Sequence, residues 1–399
     1  MPEQHPAAPT ASSVVQDVVE KYDADLVDLR RDLHRHPELS WSELRTAELT
    51  SRLVEEAGWA LTRFSRTGFA ADLGTGGSLV ALRADMDALP VQDLTEDPWA
   101  STVAGVAHAC GHDVHTSSLV GAALALAEVH DRGLLPGRVR LLFQPAEEVM
   151  PGGAVHLMDE GVLDDVERVF ALHCDPGVDV GQVGLRLGPL TSAADRVEVR
   201  LTGTGGHTSR PHLTGDLTFA LAKVTTELPA VLSRRMDPRA GVSVVWGSLH
   251  AGSAPNVIPD HGLVTGTVRI LDAVAWADCE GVVRQVVDEI VRPYGVTAEI
   301  DYQRGVPPVV NEPVSNRILA DAVRAVLGDD GQVVAPQSLG GEDFGWYLDR
   351  VPGAMMRLGT RTPGGATYDL HQGNLRIDER ATGIGAKLLA ESAIRALAR

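Results

Sequence analysis

Four short segments of this chain gather side chains that could do chemistry. The first, HACGHDVH, holds His108, Cys110, His112, Asp113 and His115. Cys110 and His112 are two apart, just ahead of a stretch that reads as a helix. A thiolate and an imidazole at this spacing can converge on one borderline-soft metal ion. Taken alone, a Cys-x-His in a glycine-bearing loop is structural more often than ligating. The second, FQPAEE, ends in Glu147 and Glu148. It closes an apolar run that reads as a strand, and the C-terminal ends of strands are where α/β enzymes place their sites. One carboxylate there can bind metal while the other handles protons; a solvated acidic loop is the plain alternative. The third, VFALHCD, carries His173, with Cys174 beside it as a small buried hydrophobe. The fourth, YDLHQGN, carries His371 in a polar loop.

Singly these are unremarkable; together they offer Cys110, His112, Glu148, His173 and His371 as five potential ligands. That exceeds what one tetrahedral ion needs. Two ions sharing a bridging ligand and water would use them all.

The elements that must position them follow from periodicity. Residues 14–58 show three- and four-residue apolar spacing and read as two helices interrupted at His36-Pro37. Strand-like runs at 69–74 and 78–89, a helix at 116–130, a strand at 138–148, a helix at 154–163 and a strand at 168–175 alternate after it. Such alternation predicts an α/β sheet with helices on both faces. Near Ser192 the pattern changes to strand, helix, two strands, helix, strand, the βαββαβ order of a ferredoxin-like module. The expected organisation is a disordered leader over 1–13, a catalytic α/β domain over 14–192 and 306–399, and an inserted α+β domain over 193–305.

Composition narrows the classes. The 399 residues are 44% hydrophobic and 22% charged, with a net charge of -19. That surface repels phosphate backbones and anionic lipid, so nucleic acid is not an expected partner. Three cysteines without a C-x-x-C pair fit a reducing, cytoplasmic compartment. No run of about 18 apolar residues predicts a membrane span. The start, MPEQHPAAPTASS, has no apolar core of a signal peptide.

The segments DLHRHPELSWSE, LRADMDALPVQD, HACGHDVHTSSLVGAA, FQPAEE followed by GGA, ALHCDP, GTGGHTSRPH, APNVIPD with GTVRIL, GGEDFGWY and DLHQGN run in order from about residue 25 to 375. With them the chain resembles the dinuclear zinc-peptidase superfamily (peptidase family M20) of the aminoacylases and bacterial glutamate carboxypeptidase. Within it, the likeness is to the amidohydrolase branch of hippurate hydrolases, indole-acetyl-amino-acid hydrolases and N-acetyl-diaminopimelate deacetylases. The resemblance implies a zinc-peptidase-like catalytic domain with the inserted module as a lid that forms a homodimer. It implies two divalent ions per subunit (Mn²⁺, Zn²⁺ or Co²⁺) on Cys110, His112, Glu148, His173 and His371, with Glu147 as general base. It matches His207 to a histidine that reaches the substrate carbonyl, and Asn256 and Arg269 to positions that hold the substrate carboxylate.

Two departures matter. Where the wider superfamily has an H-x-D motif with a ligating histidine, this chain has Asp85-Met86-Asp87. Asp85 is therefore left out of the ligand set. Asp87 reads equally as a group orienting a ligand or as a buried structural carboxylate. Val149-Met150-Pro151 replaces a shorter, glycine-bearing link, which bears on substrate preference. His34, His36 and His115 read as structural or surface residues, His212 as a rival to His207, and Glu342 and Asp343 as a brace near a helix start.

The implied reaction is hydrolysis of the amide bond of N-acyl-L-amino acids. Glu147 would take the proton of the attacking water and pass it to the departing nitrogen. A metallo-carboxypeptidase or dipeptidase acting on short peptides is the rival within enzymes. A non-catalytic metal-dependent binding protein is the rival outside them.

Overall fold

The computed structural model describes residues 9–399. The first eight residues of the expected leader lie outside the described residues, and its last three belong to a helix, Ala11–Lys21. Thr10 starts that helix. Its Oγ1 accepts the Ser13 N–H at 3.1 Å while Ser13 Oγ accepts the Thr10 N–H at 3.0 Å, a reciprocal cap. The N-terminal helical stretch breaks twice, at Tyr22 as well as after Arg35, giving helices Asp23–Arg35 and Leu44–Glu56.

The chain divides into two compact units. The first runs to Gly188 and takes up the chain again over Asn311–Pro336 and Trp346–Arg399. Its eight-stranded sheet has the order Ala60–Arg63, Phe69–Leu73, Arg138–Gln144, Leu79–Asp85, Val166–Asp179, Gly353–Arg361, Val183–Leu185, Gln332–Val334. The four strands from Arg138–Gln144 to Gly353–Arg361 pair parallel, and the first two strands pair antiparallel at the edge. Parallel strands are covered on both faces, and every residue of Leu79–Asp85 is buried accordingly.

One such strand carries a cation. Arg83 is fully buried; its Nε–H donates to Gln144 Oε1 at 2.9 Å and its Nη1–H to Asp85 Oδ2 at 2.6 Å. A buried guanidinium without these acceptors would cost several kcal/mol. The interior strand Gly353–Arg361, GAMMRLGTR, has a single β-branched residue, Thr360, and no aromatic one, so composition does not announce it. His173 does not end its strand: Val166–Asp179 continues past it, with His173 opposite Arg357 and Asp179 opposite Arg361.

The helix His112–Asp131 starts four residues before the expected Thr116. It is buried continuously from His112 to Ala123 and packs against Arg380–Leu397, Ala11–Lys21 and the Leu79–Asp85 strand. A helix apolar on every side, as SLVGAALALA is, can only be a core helix. His112 and His115 therefore stand in its first turn rather than in a loop.

The second unit comprises Pro189–Val310 and Gln337–Gly345. It is wider than the 193–305 read from the sequence, and it recruits a short segment from the chain's C-terminal part. Its four-stranded sheet has the order Ser243–Ala251, His261–Ile270, Ala193–Thr202, Thr297–Val306, every neighbour antiparallel. Helices Leu217–Arg235 and Ala273–Val291 pack on each other and on these strands. Element order and strand order are those of a ferredoxin-like fold. Asp195 ties it together from inside, accepting from Trp276 Nε1–H at 2.8 Å, Tyr302 O–H at 2.7 Å and the Gly305 N–H at 3.0 Å.

Candidate metal centre

In the first unit, the parallel strands end toward one edge of the sheet. Asp85 and Gln144 are the last residues of two of them, and the following loops carry Asp87 and the Glu147–Glu148 pair. Cys110 and His112 flank Gly111, which has φ +87°; a Cβ there would lie 2.9 Å from Cys174 Sγ and 3.0 Å from Ile377 Cδ1. A glycine is what lets this turn pass so close to the neighbouring strand.

Cys110 Sγ lies 3.5 Å from His173 Nε2. His112 Nε2 lies 3.8 Å from Glu147 Oε2 and 3.8 Å from Glu148 Oε1, and His371 Nε2 lies 3.4 Å from Glu148 Oε1. The donor atoms of Cys110, His112 and His173 are within 4.8 Å of one another, as are those of Cys110, Glu148 and His371, and those of His112, Glu147 and Glu148. The structure thus brings together Cys110, His112, Glu147, Glu148, His173 and His371 from four separate stretches of chain.

The chemistry of this donor set fits cations. His173 Nδ1–H donates to the Cys174 carbonyl at 2.7 Å, which leaves the Nε2 lone pair facing Cys110. His112 Nδ1–H donates to the Asp87 carbonyl at 2.8 Å, and its buried Nε2 has no hydrogen-bond partner among the described residues. Burial pushes the Cys110 thiol well above its ordinary pKa, and the charges of Glu148 and Glu147 push it further. Burial opposes protonation of His112, yet Asp85 and Asp87 outweigh it and lift its pKa to about 10. A neighbouring cation would favour the thiolate and the neutral imidazole at these two positions. Cys110 belongs to two of these groups, and no one group of mutually close donors takes in all five candidates, so the set suits two ions rather than one.

Asp85, His112 and His115 also lie close together. That trio does not offer free donors. His115 Nδ1–H donates to Asp85 Oδ1 at 2.6 Å, and His115 Nε2 accepts the Cys174 N–H at 2.8 Å. Arg83 occupies the other Asp85 oxygen. His115 is a core brace rather than a surface residue.

Asp87 is placed to orient others. Its Oδ1 accepts the Glu147 N–H at 3.1 Å; its Oδ2 accepts the Glu148 N–H at 3.0 Å and the Ser40 O–H at 2.7 Å. Two residues at this edge stand in the left-handed region without being glycine: Ala146 at φ +54° and His371 at φ +63°. Such conformations collect at functional sites. His371 N–H is held by the Ala109 carbonyl at 2.7 Å, and Ala146 N–H by Glu43 Oε1 at 2.8 Å. Ser40 and Glu43 escaped sequence reasoning, although both lie in the SWSE stretch. Their partners are 47 and 103 residues away, and local pattern carries no trace of that.

His34 is buried, with Nδ1 2.8 Å from Asp113 Oδ2 and Nε2 3.3 Å from Asp93 Oδ2. His36 is half-buried, with Nδ1 2.8 Å from the Asp32 carbonyl.

The second unit carries the remaining candidates. His207 pairs with Val257 in a two-stranded ribbon, and the Thr208 N–H donates to the Asn256 carbonyl at 3.1 Å, so His207 and Asn256 are neighbours, both exposed. His207 Nδ1 accepts the Ser209 N–H at 3.1 Å, which places the ring proton on Nε2. Arg269 sits half-buried in the four-stranded sheet with no hydrogen-bond or ion-pair partner among the described residues. Burial lowers its pKa and Asp195 offsets this only in part. His212 is exposed in a turn, Pro211–Leu213. Glu342 Oε1 accepts the Phe344 N–H at 2.9 Å, a local brace.

A mixed α/β sheet carrying thiol, imidazole and carboxylate donors at its strand ends, with an inserted βαββαβ module, defines a metallohydrolase architecture. The chain matches the model of peptidase family M20/M25/M40 over residues 81–395 and belongs to that family. It is a hydrolase acting on amide bonds, in a metal-dependent family. It is 37% identical over 377 residues to the N-acetyl-L-cysteine deacetylase of Bacillus subtilis, covering 93% of this chain and 88% of that one. A dinuclear metal-binding M20 peptidase from Bacillus subtilis superposes with a TM-score of 0.81 at 33% identity, covering 95% of this chain and 99% of that one. A Rhodococcus jostii protein named glutamate–cysteine ligase 2-3 is 46% identical over 382 residues; these are 95% of this chain, which spans 48% of that protein. Among the described residues, no helix is long and apolar enough to cross a membrane.

Proposed function

We propose that this chain removes the acyl group from N-acyl-L-amino acids. The observation that carries the reading is the convergence of Cys110, His112, Glu148, His173 and His371, with the Glu147 carboxylate at the same place. Two divalent cations, Zn²⁺, Mn²⁺ or Co²⁺, held by those five residues would supply Lewis acidity and an activated water. Glu147 takes a proton from the attacking water and returns it to the departing nitrogen. A binding protein has no use for such a base beside its ligands, which favours the enzyme.

His207 supports a carbonyl-binding role, since its Nε2–H is free to donate to a developing oxyanion. Arg269 suits a substrate carboxylate, because a half-buried guanidinium without a protein acid gains most from a bidentate partner. Asn256 is assigned to the same carboxylate through its place beside His207. The likeness to a B. subtilis protein named N-acetyl-L-cysteine deacetylase supports reading the substrate as an acyl amino acid rather than a peptide; a carboxypeptidase or dipeptidase would use the same machinery. The second unit is read as a lid and a homodimer interface, and its edge strand Ser243–Ala251 exposes Val245 and Leu249. Three free cysteines suit the cytoplasm.

The test is hydrolysis by metal-reconstituted protein of N-acetyl and N-benzoyl amino acids against dipeptides. Release of amine from the acyl amino acids is expected to dominate. Preference for the dipeptides would replace this reading with the peptidase one, and no turnover of either would end both.

A further inference from the structure

We infer that Glu43 is a positioning residue that sets the Glu147–Glu148 pair by holding Ala146 in the left-handed region. The inference rests on the reading of Glu147 as base.

Glu43 is fully buried at the start of the helix Leu44–Glu56. A carboxylate there would ordinarily cap its own helix. Here Glu38 does that instead: its two oxygens accept the N–H groups of Arg45 at 3.0 Å and Thr46 at 2.8 Å. Glu43 is thereby released from capping and turns inward. Its Oε1 accepts the N–H of Trp41 at 2.9 Å and of Ala146 at 2.8 Å, and its Oε2 accepts the Thr67 O–H at 2.6 Å. Both residues on Oε1 are left-handed, Trp41 at φ +66° and Ala146 at φ +54°. Side chains other than glycine avoid that region, so the surroundings must enforce it.

The loop after Gln144 is held at every step. Ala146 N–H goes to Glu43, and the Glu147 and Glu148 N–H groups go to Asp87. The Ala146 carbonyl accepts the Gly153 N–H at 3.0 Å, and a Cβ on Gly153 would lie 1.8 Å from the Pro145 carbonyl oxygen. Three consecutive N–H groups thus end on two carboxylates from distant parts of the chain. Asp87 fixes where the pair sits; Glu43 fixes the turn that delivers it. Release of Ala146 to a right-handed conformation would swing the Glu147 side chain away from His112.

The geometry also says what a substitution preserves. A glutamine at 43 keeps a carbonyl oxygen for the two N–H groups and offers its amide to Thr67 Oγ1. An alanine orphans both N–H groups. An aspartate keeps the charge but falls one methylene short.

The test compares Glu43→Ala, Glu43→Asp and Glu43→Gln with wild type in metal-loaded protein, reading kcat, KM, metal stoichiometry and amide exchange of the segment 144–149. Glu43→Ala is expected to lower kcat about 10²-fold, the cost of a misplaced catalytic group, with KM and metal content little changed. Exchange in the segment should quicken about tenfold or more as the loop opens. Glu43→Gln should recover most of the loss. Adding Ala146→Gly to Glu43→Ala should also recover kcat, because glycine takes positive φ without cost. Should Glu43→Ala not fold, Glu43→Asp carries the same expectations. Unchanged kcat and exchange in the variant, or no recovery by Ala146→Gly, would overturn the inference. An inactive wild type would overturn the hydrolase reading instead, and amide exchange would still decide the role of Glu43.

Discussion

The carboxylate of Asp87 carries the backbone of Glu148: its Oδ2 accepts the Glu148 N–H at 3.0 Å, while its Oδ1 takes the N–H of Glu147 at 3.1 Å. One side chain thereby orients the proposed ligand and the proposed base together. Asn at 87 would set an NH₂ against one of those N–H groups, donor against donor. Asp87→Asn is expected to lose about 10- to 100-fold in kcat or in metal affinity, the usual range for a group that orients ligands. Steady-state kinetics with metal titration measures it, and wild-type values for both would show the clamp to be dispensable.

Glu147 and Glu148 are adjacent, yet their substitutions should separate cleanly. Glu147→Gln is expected to cut turnover about 10²- to 10⁴-fold, the contribution of a positioned base, with metal content intact. Glu148→Gln should lower the metal content itself. Elemental analysis beside kcat distinguishes them; metal loss in Glu147→Gln would mean the two roles are exchanged.

Metal removal should silence the protein without unfolding it. The proposed ligands stand at the sheet's edge, and the core beneath them is built from apolar side chains such as Val80, Leu82, Leu141 and Phe170. Chelation should therefore abolish hydrolysis while far-ultraviolet circular dichroism stays native. The melting transition should fall by what ligand binding supplies, about 4 kcal/mol at a thousandfold excess over Kd. Activity should return with Zn²⁺, Mn²⁺ or Co²⁺. An unfolded apo-protein would instead mark the metal as structural.

How far this was legible in the sequence differs residue by residue. Cys110, His112, Glu147, Glu148, His173 and His371 were unremarkable singly and legible as a set, with their roles supplied by the motifs the chain shares with its family, and the βαββαβ order was visible because each of its elements has its own period. The strand Gly353–Arg361 was hidden, since Met, Gly and Arg carry no strand signature and its place is set by tertiary burial. Glu43, Ser40 and the Asp85–His115 pair were hidden for another reason. Each acts through a partner 30 to 103 residues distant, and a single sequence holds no record of such pairs.

Stability should depend on pH through His34. The ring is buried against Asp113 at 2.8 Å and Asp93 at 3.3 Å. Burial draws its pKa down and Arg30 adds to that, but the hydrogen bonds and charge from Asp113 and Asp93 outweigh both and raise it. The folded chain then holds this proton more tightly than the unfolded chain. Its contribution is complete below about pH 6.5 and drains as pH rises through the folded value. Asp93 runs the other way. Burial alone would raise its pKa, but the His34 hydrogen bond and the N–H groups of Ser101 and Thr95 depress it, so its contribution is present above about pH 3.9 and lost in acid. The network is thus strongest between those limits. Below pH 6.5, His34→Gln should cost on the order of 3 kcal/mol, the scale of a broken buried pair. That cost should shrink as pH rises toward 9. Urea unfolding of both proteins at pH 6 and pH 9 measures it, and an equal cost at the two pH values would show that folding leaves the His34 pKa unraised.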